Sequence, residues 1–237
     1  MVAPRLVNRL VDFIDRVLFS QPVSSVINEE HRMKLYSGLS PNGLRAGVFL
    51  AEKGIELPTV DIDIPGGQAR TAAFRQKNSL GEVPVLELDD GTFLTESLAI
   101  CRYLEALHPD PPLMGSSPLG IARVEMWSRR IEQQIMGPIA EVGRHTFTFF
   151  ADKFEQVPEY AETQQRLLAK NLAWLDTELA DGRTYVCDDA FSVADITGMA
   201  ALMVCQFANT PVPEELRHVK RWETALCSRP TWPMAAA

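Results

Sequence analysis

The sequence has no Cys-x-x-Cys pair. Its four cysteines, Cys101, Cys187, Cys205 and Cys227, are scattered, and their spacing suggests no zinc site. Cys101 and Cys205 lie in apolar helical stretches, where buried, reduced thiols are expected. That pattern suits a reducing cytoplasm. Positive charge is also scarce. The formal net charge is -8, which argues against a nucleic-acid partner, because phosphate binding needs a basic surface. No uninterrupted apolar run approaches the roughly 18 residues of a membrane span. Residues 1–32 lack the compact apolar segment and small-residue cleavage site of a secretory signal. There is no internal repeat and no low-complexity stretch. The expectation is a cytoplasmic protein with no metal, no membrane and no nucleic-acid partner.

What is present is an ordinary globular composition, 46% hydrophobic and 23% charged, in 237 residues. That length fits one large domain or two modest ones, with a core that needs no disulfides. Leu6, Leu10, Ile14, Val17 and Leu18 recur at helical spacing, so residues 1–32 read as an extension carrying a short amphipathic helix. Met33 to Tyr36 is a short strand. The polar turn Ser37 to Gly43 follows, then a helix from about Leu44 to Lys53 capped by Gly54. Val60-Asp61-Ile62-Asp63-Ile64 alternates as a strand, and a helix containing Phe74 comes next. Val83 to Leu88 and Thr92 to Leu94 form a hairpin across Asp89-Asp90-Gly91, followed by a helix from Ser97 to Leu107.

The order βαβ-α-ββα implies a mixed sheet with a right-handed crossover. Residues 33–108 thus form one α/β domain. The proline-rich segment 109–118 is a linker, and 119–237 is all-helical. Leu167, Leu168, Leu172, Trp174, Leu175 and Leu179 trace one apolar face, closed by Gly182. Ser192-Val193-Ala194-Asp195 reads as a capping box, which makes Asp195 structural.

Three segments of the first domain carry chemistry. Ser40-Pro41-Asn42-Gly43 precedes a helix whose N–H groups and dipole favour an anion such as a thiolate. The same residues are also plain turn formers. Val83-Pro84 is compatible with a cis bond that would leave the Val83 backbone free to pair with an extended peptide. Glu96-Ser97 places a carboxylate and a helix-start hydroxyl together, which suits an ammonium and a carboxylate on one α-amino acid. Ser97 can equally serve only as a cap.

These segments, with Phe49 to Gly54, Gly81 to Leu86, Thr95 to Ile100, Phe191 to Ile196 and Arg229-Pro230, resemble the cytosolic glutathione transferases from Met33 to about Pro230. The detail is closest to the yeast Gtt-type and bacterial transferases. The resemblance implies a thioredoxin-like domain followed by a helical domain. It implies glutathione as co-substrate, a small apolar electrophile as partner, and a homodimer. Val83 would hold the cysteinyl backbone, Pro84 would be cis, and Glu96 and Ser97 would hold the γ-glutamyl end. Ser40 matches the activating serine of serine-type classes, with Arg45 five residues on, and Asn42 is the next candidate. Its hydrogen bond would lower the thiol pKa by favouring the charged form.

The chain departs from the family at three points. The 37–43 turn holds no cysteine. Tyr36 is early for a tyrosine-type class. Gly67-Gln68 is followed by Ala69 where relatives often carry histidine, so Gln68 or Arg70 would take the glycyl carboxylate. The resemblance also makes His145 a site residue. An electrophile pocket would be lined by Leu39, Met126, Trp127, Ile135, His145, Phe149 and Phe150. Two alternatives are a glutathione-dependent disulfide or peroxide reductase, and a non-enzymatic binding or regulatory module on the same fold.

Overall fold

The computed structural model describes residues 33–188 and 190–232. The amphipathic helix expected in 1–32 lies outside them. The chain forms two compact units and passes from one to the other between Pro111 and Pro112.

The N-terminal unit is built on four short strands: β1 (Lys34–Ser37), β2 (Thr59–Asp61), β3 (Val85–Glu87) and β4 (Phe93–Thr95). Their order is β2-β1-β3-β4. β1 and β2 are parallel, and β3 pairs antiparallel with both β1 and β4. Three helices accompany them: α1 (Pro41–Lys53), the single turn α2 (Ala72–Arg75) and α3 (Ser97–Leu107). This is the expected βαβ-α-ββα thioredoxin-like order.

The two-residue period of the strands sorts their side chains between two layers. Tyr36 and Val85 face a cluster of Ile62, Ala69, Phe74 and Val83. Leu35 and Leu86 point the other way and are fully buried, as are Phe49 of α1 and Ile100 of α3. Lys53 ends α1 with its ammonium buried. It bonds the His108 carbonyl at 2.7 Å and the Glu105 carboxylate at 2.5 Å, which ties the end of α1 to the end of α3. Asp110-Pro111 is cis.

Two boundaries differ from the sequence pattern. α1 begins at Pro41, because Ser40 caps it by accepting from Gly43 N–H at 2.9 Å and proline is favourable at the first helical position. Asn42 and Gly43 are therefore first-turn helix residues. The strand expected to reach Ile64 ends at Asp61. Asp63 is taken by a tight loop instead: its carboxylate accepts from Gly66 N–H, and its own N–H donates to the Gln68 side chain.

The C-terminal unit opens with α4 (Pro118–Ile131), which runs through a π segment (Glu132–Met136) into α5 (Gly137–Thr146). The π segment has a local cause. Pro138 has no N–H, so the Gln134 carbonyl loses its helical partner. Gly137 N–H bonds five residues back to Glu132. The Asn171 side chain reaches in from α6 (Pro158–Glu178) and donates to the Gln134 carbonyl at 2.8 Å.

α7 (Val193–Phe207) is buried on all sides over most of its length, as its near-continuous apolar sequence requires. Asp195 is fully buried at its start. Its carboxylate accepts from Val186 N–H, Ser192 N–H, the Ser192 hydroxyl and Trp222 Nε1. It is thus structural, and burial pushes its pKa up. Trp222 belongs to α8 (Arg217–Cys227) and presses on Gly198, where an added Cβ would come within 2.3 Å of the ring. On α6, Leu168, Leu172 and Leu175 are buried as the periodicity predicts, whereas Leu167 is exposed.

Among the described residues no helix is long and apolar enough to cross a membrane, and no cluster of side chains could hold a metal.

Candidate functional site

A small cleft in the N-terminal unit is lined by Asn42, Asn78, Glu82, Val83, Pro84, Glu96 and Ser97. Three structural devices bring these residues together. The first is the start of α1. Its free N–H groups and dipole face the cleft region, and Asn42 in the first turn adds an exposed amide. Ser40 is just before it. The cap occupies one lone pair of its oxygen, which leaves the hydroxyl proton available to donate.

The second device is the loop ahead of β3. Asn78 is buried and holds this loop from both sides. Its amide donates to the Glu82 carbonyl at 2.8 Å, and its carbonyl oxygen accepts from Leu80 N–H. The loop delivers Val83 to a cis peptide bond with Pro84. Val83 precedes the first ladder residue, Val85.

The third device is the turn from β4 into α3. Glu96 has φ +67°, a left-handed conformation that is uncommon for a residue with a side chain. Outliers of this kind concentrate at binding sites. The twist leaves Glu96 exposed while Ser97, the first helical residue, turns inward and is 3% exposed. Arg45 of α1 is also buried, and its Nη1 donates to Ser97 Oγ at 2.9 Å.

The cleft is therefore polar and asymmetric in charge. Glu82 and Glu96 suit an ammonium group. Ser97, backed by Arg45 at a helix start, suits a carboxylate. The N-terminus of α1 suits a thiolate.

The structure thus gathers Asn42, Val83, Pro84, Glu96 and Ser97 in one cleft. Gln68 and Arg70 lie in a 3-10 turn (Gln68–Arg70), are exposed, and do not line it. Gln68 instead accepts from Asp63 N–H, which fixes the loop. His145 belongs to α5, in the other unit. Its Nδ1 accepts from Val157 N–H at 3.0 Å, its Nε2 is 3.5 Å from Glu141, and its ring packs on Tyr160. These contacts give it a structural task at the start of α6.

Of the residues expected to line an electrophile pocket, Ile135 is fully buried and Trp127 stacks on Trp174, so both belong to the core of the helical unit. Leu39, Met126 and Phe149 are exposed. Phe149 packs edge-on against Phe150.

Tyr36 is removed from thiol chemistry. Its hydroxyl donates to Glu87 at 2.5 Å, and burial together with that carboxylate pushes its pKa up to about 12. The protein thiols are equally unsuited. Burial raises Cys101 and Cys205 to about 12 and Cys227 to about 11. None of the four cysteines is in a disulfide.

Sequence reasoning missed Asn78 and Glu82 as cleft residues. An Asn three residues before Gly81 in a polar loop is a readable turn signal, but its inward reach to Glu82 is not.

Known proteins match this geometry over most of the chain. Residues 39–107 match the glutathione S-transferase N-terminal domain model, and residues 140–230 match the C-terminal domain model. Glutathione S-transferase 2 of Saccharomyces cerevisiae is 33% identical over 195 residues, covering 81% of this chain and 83% of the yeast protein. The chain belongs to the glutathione S-transferase family.

Solved members agree. A glutathione S-transferase domain-containing protein from Marinobacter aquaeolei superposes with a TM-score of 0.79 at 35% identity, covering 84% of this chain and 98% of that one. The crystal structure of Gtt2 from Saccharomyces cerevisiae also gives 0.79, at 31% identity, covering 86% of this chain and all of the other. As a glutathione S-transferase, the protein is an enzyme with a thioredoxin-like N-terminal domain and a helical C-terminal domain. The family takes glutathione as a substrate.

Proposed function

We propose that the enzyme conjugates the glutathione thiolate to small apolar electrophiles, acting as a cytoplasmic homodimer. The observation that carries this reading is the convergence of Asn42, Val83, Pro84, Glu96 and Ser97 in one cleft.

In this reading the tripeptide lies extended along the cleft. Val83 pairs with its cysteinyl backbone, Glu96 takes the ammonium of the γ-glutamyl end, and Ser97 takes its carboxylate. The sulfur lies at the start of α1, where the helix dipole and a donated hydrogen bond from Ser40 or Asn42 favour the ionised form. The free thiol has a pKa of about 8.5, so a fall of about two units makes it mostly thiolate at neutral pH. Glutathione's own sulfur then attacks the electrophile, forming the thioether as the leaving group departs. Gln68 or Arg70 is assigned to the glycyl carboxylate. With no cysteine in the first turn of α1, conjugation is favoured over a reductase working through a protein mixed disulfide.

Calorimetry with glutathione, followed by parallel assays of chloronitrobenzene conjugation and glutathione-dependent disulfide reduction, tests the proposal. Binding with conjugation as the faster reaction supports it. Reduction as the faster reaction, or no heat at millimolar glutathione, overturns it. Gel filtration with light scattering at micromolar protein tests the dimer.

A further inference from the structure

We infer that Arg45 is a positioning residue that sets the hydrogen-bond polarity of Ser97, so that Ser97 presents its proton, and not a lone pair, to the ligand's α-carboxylate. The inference rests on the glutathione reading above. Arg45 is on α1 and only 2% exposed, and its Nη1 donates to Ser97 Oγ at 2.9 Å. A guanidinium has donors and no acceptor, and it stays charged at any pH the protein survives. The Ser97 oxygen must therefore accept along this bond, and its own O–H must point elsewhere.

Ser97 is buried apart from its edge on the cleft, so the cleft is where that proton finds an acceptor. A serine hydroxyl without such a neighbour rotates freely between donor and acceptor roles. Arg45 does not line the cleft, so it acts through Ser97 and does not touch the ligand. Its charge is also felt one turn along α3, where it partly opposes the rise that burial imposes on the Cys101 thiol. The point charge and the fixed hydroxyl act in one direction, in favour of an anion at Ser97. Glu96, one residue earlier, carries the opposite preference. The pair can thus tell the two ends of an α-amino acid apart.

The test compares three ligands by calorimetry: glutathione, an analogue with 4-aminobutyryl in place of γ-glutamyl, which lacks only the α-carboxylate, and a glutaryl analogue, which lacks only the amine. In the wild-type enzyme, loss of the carboxylate is expected to weaken binding about 10- to 100-fold. In Arg45→Met and Arg45→Gln that penalty shrinks to below about threefold, while the penalty for losing the amine stays at its wild-type value. Arg45→Lys, whose ammonium is also donor-only, keeps the carboxylate penalty within about threefold of wild type.

A carboxylate penalty that persists in Arg45→Gln, or an amine penalty that falls in step with it, overturns the inference, since a merely structural role would weaken all three ligands alike. Should the Met variant fail to fold, the Gln variant, which keeps a polar end group without the charge, decides. A wild-type enzyme that binds no glutathione overturns the glutathione reading and this inference with it. A wild-type enzyme that binds while the variants keep the carboxylate penalty overturns the inference alone.

Discussion

The Ser40 hydroxyl accepts from Gly43 N–H and keeps its own proton to donate, so its removal has two separable effects. Ser40→Ala should cost about 1 kcal/mol of stability through the lost cap, read by urea denaturation. It should also raise the pKa of the bound thiol by about one to two units, read by ultraviolet thiolate absorbance, and so slow conjugation roughly 10- to 100-fold near pH 6. The deficit should close as the pH rises and the thiol ionises unaided. A deficit that is constant with pH would pass the donor role to Asn42.

Tyr36 gives the opposite expectation. Its folded pKa is raised from 10.0 to about 12, so whatever stability its protonated form contributes is complete below pH 10 and is lost as the pH climbs toward 12. Tyr36→Phe should flatten the stability curve in that window and leave the pH profile of conjugation unchanged. A shifted catalytic profile would contradict its exclusion from the site.

The residues that could be read from sequence were those whose type alone dictates a geometry: Pro84 before a strand, Ser97 at a helix start, Asp195 three after Ser192. Arg45 and Asn78 could not be read in that way. Arg45 works on Ser97, 52 residues away, and nothing local announces that contact. Asn78 sits in a readable turn, but its inward reach to the Glu82 carbonyl is set by how the loop packs.

Elements followed their periodicity wherever packing agreed with it. The pattern placed α3 at Ser97 to Leu107, as observed, because β4, the strained Glu96 and the apolar stripe all end or begin there. It overran β2, because Asp63 continues the alternation on paper but its carboxylate closes a loop. It gave no sign of the π segment, since Pro138 withdraws a hydrogen bond whose replacement comes from a different helix.

Two substitutions test these elements. Asn171→Ala should leave the half-buried Gln134 carbonyl without its side-chain donor and destabilise the helical unit by about 1–2 kcal/mol in chemical denaturation. Gly198→Ala should drive a methyl into Trp222 and cost about 1–3 kcal/mol, because the opposing ring is a rigid group deep in the core. A Gly198→Ala variant as stable as wild type would mean that α7 and α8 can slide apart to admit the methyl.

At the scale of the molecule, two units of different construction share one chain. The N-terminal unit covers both faces of a small sheet and carries the whole cleft. The C-terminal unit wraps helices around α7. Ligand that binds only the folded state stabilises by mass action, so glutathione at about one hundred times its dissociation constant should add about 2.7 kcal/mol. Differential scanning calorimetry should show that gain in the transition to which the N-terminal unit belongs. Ser97→Ala should reduce it at fixed ligand concentration. A glutathione shift that survives intact in Ser97→Ala would place the ligand elsewhere.

The π segment between α4 and α5 also sets a phase relation. Each residue in a regular helix advances about 100° around the axis. The five-residue wide turn breaks the count between Ile131 and Gly137, so the positions that make up one face of the rod are offset by about one residue in its second half. Excising one residue between 132 and 136 would invite the turn to tighten into regular helix. Because the wide turn spends about one more residue on its revolution than an α turn does, everything downstream, His145 included, would keep nearly its present orientation relative to α4. The wide turn thus works as a buffer for sequence length: it admits one residue while the second half of the rod stays aimed as before, whereas the same deletion inside regular helix would turn everything after it by about 100°.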